Sequence, residues 1–96
     1  MIIDMLNNNI SVIIPVYNGE STIQETIESV LNQTFTSFEL IIINADSTDA
    51  TLSIINQIED ERIKVFSYPK ANVAVNRNRG IKQYTSDYIT IIDADE

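Results

Sequence analysis

Four short runs of nearly unbroken β-branched and aliphatic residues, separated by stretches with helical spacing, limit what this chain can fold into. The runs are Ile10–Val16 (ISVIIPV), Phe38–Ile43 (FELIII), Ile63–Ser67 (IKVFS) and Tyr88–Ile92 (YITII). A strand with one wet face alternates apolar and polar residues, whereas a strand covered on both faces reads as a continuous apolar run. The runs therefore predict strands with helices on both sides. Between the first two, Ile23, Ile27, Val30 and Leu31 fall at i, i+4, i+7 and i+8 within 20–33, one helical stripe. Leu52, Ile55 and Ile58 predict a second helix. Ala74, Ile81 and Tyr84 predict a third, with Gly80 as either a weak point or a point of close packing.

Punctuation agrees with this division. Pro15 marks where pairing of the first strand stops, and Asn18-Gly19 marks a turn. Ser21 followed by Gln24 has the form of a capping box. Ser47, Thr48 and Asp49 offer helix-start chemistry, and Tyr68-Pro69 ends the third strand.

The order β-α-β-α-β-α-β with short connections predicts an α/β fold: a Rossmann-like three-layer α/β/α sandwich around a parallel sheet of about four strands. Right-handed crossovers with one reversal give the order 3-2-1-4, which opens a crevice at the carboxyl ends of the first and fourth strands. The polar residues collect at those ends: Tyr17-Asn18, Asn44-Ala45-Asp46-Ser47, and Asp93 with Asp95. At 96 residues the chain has material for one core. Residues 1–9 read as a polar lead-in and 10–96 as the domain.

Charge narrows the partners. Fourteen acidic residues against six basic ones give a net charge of −8, so a nucleic-acid surface is not expected. All six basic residues lie between Arg62 and Lys82, a local cluster better suited to a small anion. With no Cys and no His, thiol nucleophiles and His-based triads are excluded, and a bound metal would have to be a hard cation on oxygen ligands. No apolar run approaches the roughly 20 residues of a membrane span, and the N-terminus lacks the form of a signal peptide. The expected location is cytoplasmic, peripheral at the membrane in a longer protein.

Asp93-Ala94-Asp95 is the sharpest local feature. In extended chain, residues two apart project to one side, and two carboxylates aimed at one place are best satisfied by a cation such as Mg²⁺ or Mn²⁺ that leaves sites for phosphate oxygens. A plain polar loop is the competing reading. Arg77 and Arg79 do not share a helix face. Arg77 is the better candidate for the crevice, since Arg79 and Lys82, three apart, could be solvated charges. Asn76 and Asn78 could reach a ligand or mark a frayed helix start. Asp46 and Asp49 have a structural explanation in the helix macrodipole.

Five ordered segments resemble the N-terminal half of family 2 glycosyltransferases: Ile10–Asn18 (ISVIIPVYN), Ile27–Phe35 (IESVLNQTF), Ile43–Asp49 (INADSTD), Arg77–Gly80 (RNRG) and Asp93–Asp95 (DAD). The resemblance implies a partial GT-A fold that binds a nucleotide-diphospho sugar for inverting transfer to an acceptor hydroxyl. It implies that Pro15, Val16 and Tyr17 border the base, with Asn18 and Asp46 in the same binding site. Arg77 would lie near the base or diphosphate. Asp93 would approach the ribose or metal, and Asp95 would coordinate Mg²⁺ or Mn²⁺.

There are departures from the family pattern. Where the family usually has Asp-Asp-Gly-Ser or Asn-Asp-Gly-Ser, this chain has Asn44-Ala45-Asp46-Ser47, with a methyl at the base-contacting acid and Asp at the glycine. Asn72 replaces a usual glycine before Arg77. The acceptor half and the catalytic base are expected beyond Glu96, so no catalytic residue is assigned and the 96 residues are expected to be inactive alone. A non-catalytic nucleotide-binding or interaction module is the alternative. A haloacid-dehalogenase-like phosphatase would open, not close, on its Asp-x-Asp, and a receiver domain would need acids where Tyr17-Asn18 stand. The Ile-rich fourth strand is expected to be an open edge, a route to homo-oligomers unless the N-terminal segment covers it.

Overall fold

The computed structural model describes residues 10–33, 37–82 and 88–92. Seven elements follow in the expected alternation: β1 (Ile10–Val16), α1 (Ile23–Leu31), β2 (Phe38–Asn44), α2 (Thr51–Gln57), β3 (Ile63–Ser67), α3 (Val73–Ile81) and β4 (Tyr88–Ile91). The strands form one parallel sheet in the order β3-β2-β1-β4. Fold class and strand order are those predicted.

The pleat divides the core in two. Val12, Ile14, Val16, Leu40 and Ile42 turn to one face and pack with Ile23, Ile27 and Val30 of α1 and Ile55 of α2. Ile13, Ile41 and Ile43 turn to the other, where Phe66 and Tyr68 join them. Gly80 brings α3 onto that second face. Both faces of β1 and β2 are thereby buried, which is why neither strand alternates in polarity. The exceptions, Ser11 and Glu39, stand opposite each other in register. The Ser11 hydroxyl donates to Glu39, and Lys64 Nζ reaches the same carboxylate at 2.7 Å, so the buried acid is satisfied.

Pro15 does not end the pairing of β1 with β2. Toward β2 the register runs on to Val16 opposite Asn44, and the Ala45 N–H donates to the Val16 carbonyl. Toward β4 the described register stops at Ile13 opposite Ile91, where the Ile92 N–H donates to the Ile13 carbonyl. Backbone groups alternate sides along a strand, so the N–H that proline lacks is one that would have pointed to the β4 side.

Local details differ from expectation at the helices. α1 starts at Ile23 with no side-chain cap on Thr22, so the Ser21–Gln24 box does not form. Instead Thr22 and Ile23 donate their N–H groups to the Gly19 carbonyl. In α2 the buried positions are Thr51 and Ile55, with Leu52 and Ile58 half-buried, a small rotation of the predicted stripe. α3 is turned further. Ala74 and Ile81 are exposed, and Asn76 and Gly80, four apart, face the sheet. A β-carbon at Gly80 would lie 2.3 Å from Ile13 Cγ2, so the close-packing reading is the correct one. Tyr84 lies outside the described residues. On β4, an outer strand of the described sheet, Ile89 and Ile91 are exposed. No helix among the described residues is long and apolar enough to cross a membrane.

Candidate functional site

The carboxyl ends of β1, β2 and β3 bring three loops together, and polar side chains stitch them. Asn18, just past β1, holds a left-handed backbone at φ 50, a conformation asparagine tolerates better than most residues. Its Oδ1 accepts the N–H of Thr48 at 2.8 Å and of Asp49 at 3.3 Å, while its own N–H donates to Ser47 Oγ at 3.0 Å. Asp49 answers from the other side. Its carboxylate accepts from the Glu20 N–H at 3.2 Å, the Thr51 N–H at 2.9 Å and the Thr51 hydroxyl. The Gly19 N–H completes the clasp on Thr51 Oγ1 at 2.8 Å. Although desolvation acts to raise the Asp49 pKa, the hydrogen bonds from Thr51 and from the Glu20 N–H outweigh it and hold the carboxyl below its ordinary value.

Asn44 ties the second loop to the third. Its amide Nδ2 donates to Ser67 Oγ at 3.2 Å, its Oδ1 accepts the Ser47 N–H at 3.2 Å, and its backbone carbonyl accepts the Tyr68 N–H at 2.9 Å. Ala45 is fully buried between these anchors. Asp46 follows at φ 57, the left-handed conformation that glycine adopts freely. The resemblance that sets a glycine at the position of Asp46 therefore agrees with the backbone. An open cavity of about 300 Å³ lies beside it, lined by Asp46, Ser67, Tyr68 and Pro69.

The third loop leads into α3, whose N-cap is Asn72. The Asn72 side chain accepts the Val75 N–H at 2.9 Å, and its backbone is extended, with φ −71 and ψ 169. No positive φ is required there, so the loss of a glycine at Asn72 is accommodated by a cap. Asn76 is buried, with Nδ2 3.4 Å from the Ala71 carbonyl. Arg79 is not a solvated charge. Its guanidinium donates to the Pro69 carbonyl at 2.8 Å and to Asn76 Oδ1 at 3.0 Å, and it stacks 4.8 Å from the centre of the Tyr68 ring. Arg77 is half-buried and Asn78 exposed on the same helix.

Of the predicted site residues, Tyr17, Asn18 and Asp46 are exposed at the carboxyl edge, while Pro15 and Val16 are buried beneath them. Asp93 and Asp95 lie outside the described residues. Carboxylate oxygen is the metal-ligating chemistry this chain offers, with no His or Cys, and it fits a hard divalent cation. Among the described residues no cluster of acids could hold one. Two residues that sequence reasoning passed over matter here. Thr51 receives the first-loop clasp, and Lys70 places its ammonium 4.5 Å from the centre of the Tyr17 ring. The signal for Lys70 was its position directly after the third strand's terminating Pro69.

The chain matches the model of Glycosyl transferase family 2 over residues 11–96. It is 43% identical over 90 residues to an uncharacterized glycosyltransferase of Haemophilus influenzae, covering 91% of this chain and 36% of that protein. The UDP-Glc:alpha-D-GlcNAc-diphosphoundecaprenol beta-1,3-glucosyltransferase WfgD of Escherichia coli is 36% identical over 88 residues, covering 91% and 35%. The crystal structure of S. aureus TarS 1-349 superposes with a TM-score of 0.84 at 30% identity, over 91% of this chain and 27% of that one. TarS has also been solved in complex with UDP and with UDP-GlcNAc. The chain spans 36% or less of the length of each of these proteins.

Proposed function

The chain belongs to glycosyl transferase family 2, and on that premise we propose that it forms the donor side of a GT-A inverting transferase, binding a nucleotide-diphospho sugar at the carboxyl edge of its sheet. The observation that carries the reading is the reversal of strand order at β1. The Ile92 N–H donates to the Ile13 carbonyl, so β4 runs beside β1, and the next residue in sequence is Asp93. Such a reversal is where open α/β sheets bind ligands. Relatives that bind UDP or act on UDP-Glc support a uridine nucleotide.

In this reading Tyr17 offers its ring to the base above buried Pro15 and Val16. Asn18 shapes the first loop, and Asp46 and Arg77 flank the nucleotide. Asp93 and Asp95 would hold Mg²⁺ or Mn²⁺, which supplies charge neutralisation for a departing diphosphate. The protein's part is to present a loop edge already ordered by Asn18, Asn44 and Asp49, so that little ordering remains for the ligand to impose. The exposed Ile89 and Ile91 of β4 make that strand the face through which copies would associate.

Calorimetric titration of UDP and UDP-GlcNAc, with and without Mn²⁺, tests the reading. Metal-dependent binding that Asp95→Asn abolishes is the expected result. A second reading, a module that keeps the fold without the donor chemistry, is favoured by buried Ala45, whose methyl accepts no hydrogen bond. Absence of any nucleotide binding would select it.

A further inference from the structure

We propose that Lys70 is a mobile cation that exchanges partners on ligand binding, resting on the Tyr17 ring in the free protein and moving to the diphosphate when a nucleotide arrives. The inference rests on the donor-site reading and goes beyond it, since it assigns a role to a residue outside the motifs that carry the family resemblance. Two aromatic rings at the carboxyl edge carry cations, and the two pairs are built differently. Arg79, over Tyr68, is also fixed by hydrogen bonds to Pro69 and Asn76. Lys70, over Tyr17, has neither a carboxylate partner nor a hydrogen-bond acceptor among the described residues, and its side chain is exposed. Its ammonium rests on ring attraction alone, which at an exposed site is worth roughly a few-fold in an equilibrium constant.

That attraction is weak enough to exchange. A base stacking on the Tyr17 face that Lys70 covers must displace the ammonium. A diphosphate offers it a stronger, charge-assisted partner. In a chain of net charge −8, a cation at the rim also offsets general repulsion of an anionic ligand. Opening of the ring face and capture of the phosphates then occur as one event, which discriminates a nucleotide from its nucleoside.

The test compares UDP and uridine, each with Mn²⁺, on the full chain and on Lys70→Met and Lys70→Arg. The methionine variant keeps the length of an exposed side chain and loses the charge, and matched thermal melts establish that it folds. Lys70→Met is expected to weaken UDP binding about five- to ten-fold and to leave uridine unchanged or slightly tighter. Lys70→Arg is expected to retain UDP binding within about two-fold. In the wild type, UDP should shift the Tyr17 ring proton resonances, and this shift should be altered in Lys70→Met. Equal effects on UDP and uridine, or none on either, would overturn the exchange while leaving the donor site standing. Failure of the wild type to bind UDP would instead remove the donor-site reading and this inference with it.

Discussion

Gly80 of α3 sits so close to Ile13 of β1 that a β-carbon on the glycine would lie 2.3 Å from Ile13 Cγ2 and 3.3 Å from Ile43 Cγ1. This contact sets the distance of α3 from the sheet, and so the height at which Asn72, Asn76 and Arg77 stand relative to the crevice. Substitution Gly80→Ala gains roughly 1 kcal/mol in helix propensity but overpacks a tight contact, at roughly 1–3 kcal/mol. A net loss of about 1 kcal/mol is expected, read as a lower urea midpoint with an unchanged slope.

Asn18 joins the first and second loops by its side-chain oxygen. Asn18→Ala removes that acceptor and leaves a β-carbon residue at φ 50. A destabilisation of roughly 1–2 kcal/mol is expected. Hydrogen exchange gives a sharper test, because protection should fall at the Thr48 and Asp49 amides while the Ile13 and Ile41 amides slow or speed only with global stability.

Asp46 holds a left-handed backbone at φ 57, and that conformation is the property that matters here. Asp46→Val places a β-branched residue in the left-handed region and should cost about 1–2 kcal/mol. Asp46→Gly should be neutral or slightly stabilising. Paired chemical-denaturation curves separate the two, and equal effects from both would show that backbone conformation is not what limits this position.

Asp60 is held at a pKa of about 2 by the hydrogen bonds it accepts from the Arg62 side chain and backbone N–H, with the guanidinium charge adding to them. A carboxyl whose folded pKa is depressed contributes stability above its unfolded value near 3.8 and loses that contribution as pH falls toward 2. Urea midpoints measured from pH 5 down to pH 2 should therefore decline, and Asp60→Asn should remove part of the decline. The pair is partly exposed, so the effect is modest and weakens in salt.

Strand identity, parallel order and the edge on which polar residues gather were legible in the sequence, because doubly buried strands must be continuously apolar and short connections force right-handed crossovers. The orientation of α3 was not legible. Ala74 and Ile81 outweigh Asn76 and Gly80 on any hydropathy reading, yet the small glycine and a hydrogen-bonded asparagine are what the sheet accepts at close range. That Arg79 could be a solvated charge is set aside by the structure for a related reason. Its partners, the Pro69 carbonyl and the Tyr68 ring, lie ten and eleven residues away in sequence and become neighbours only when α3 folds back onto β1 and β2, beside the loop that follows β3.

By itself the sequence determined that this chain builds a covered parallel sheet with its chemistry at one end, since burial pattern and connection length are local properties. Tertiary structure alone decided which polar residues clasp one another and which remain at the surface. Asn18, Asp49 and Thr51 are drawn into the loop clasp, and Tyr17 with Lys70 is left at the rim. Hydrogen bonds between loops some thirty residues apart depend on where the strands end in space, and residue type does not encode that.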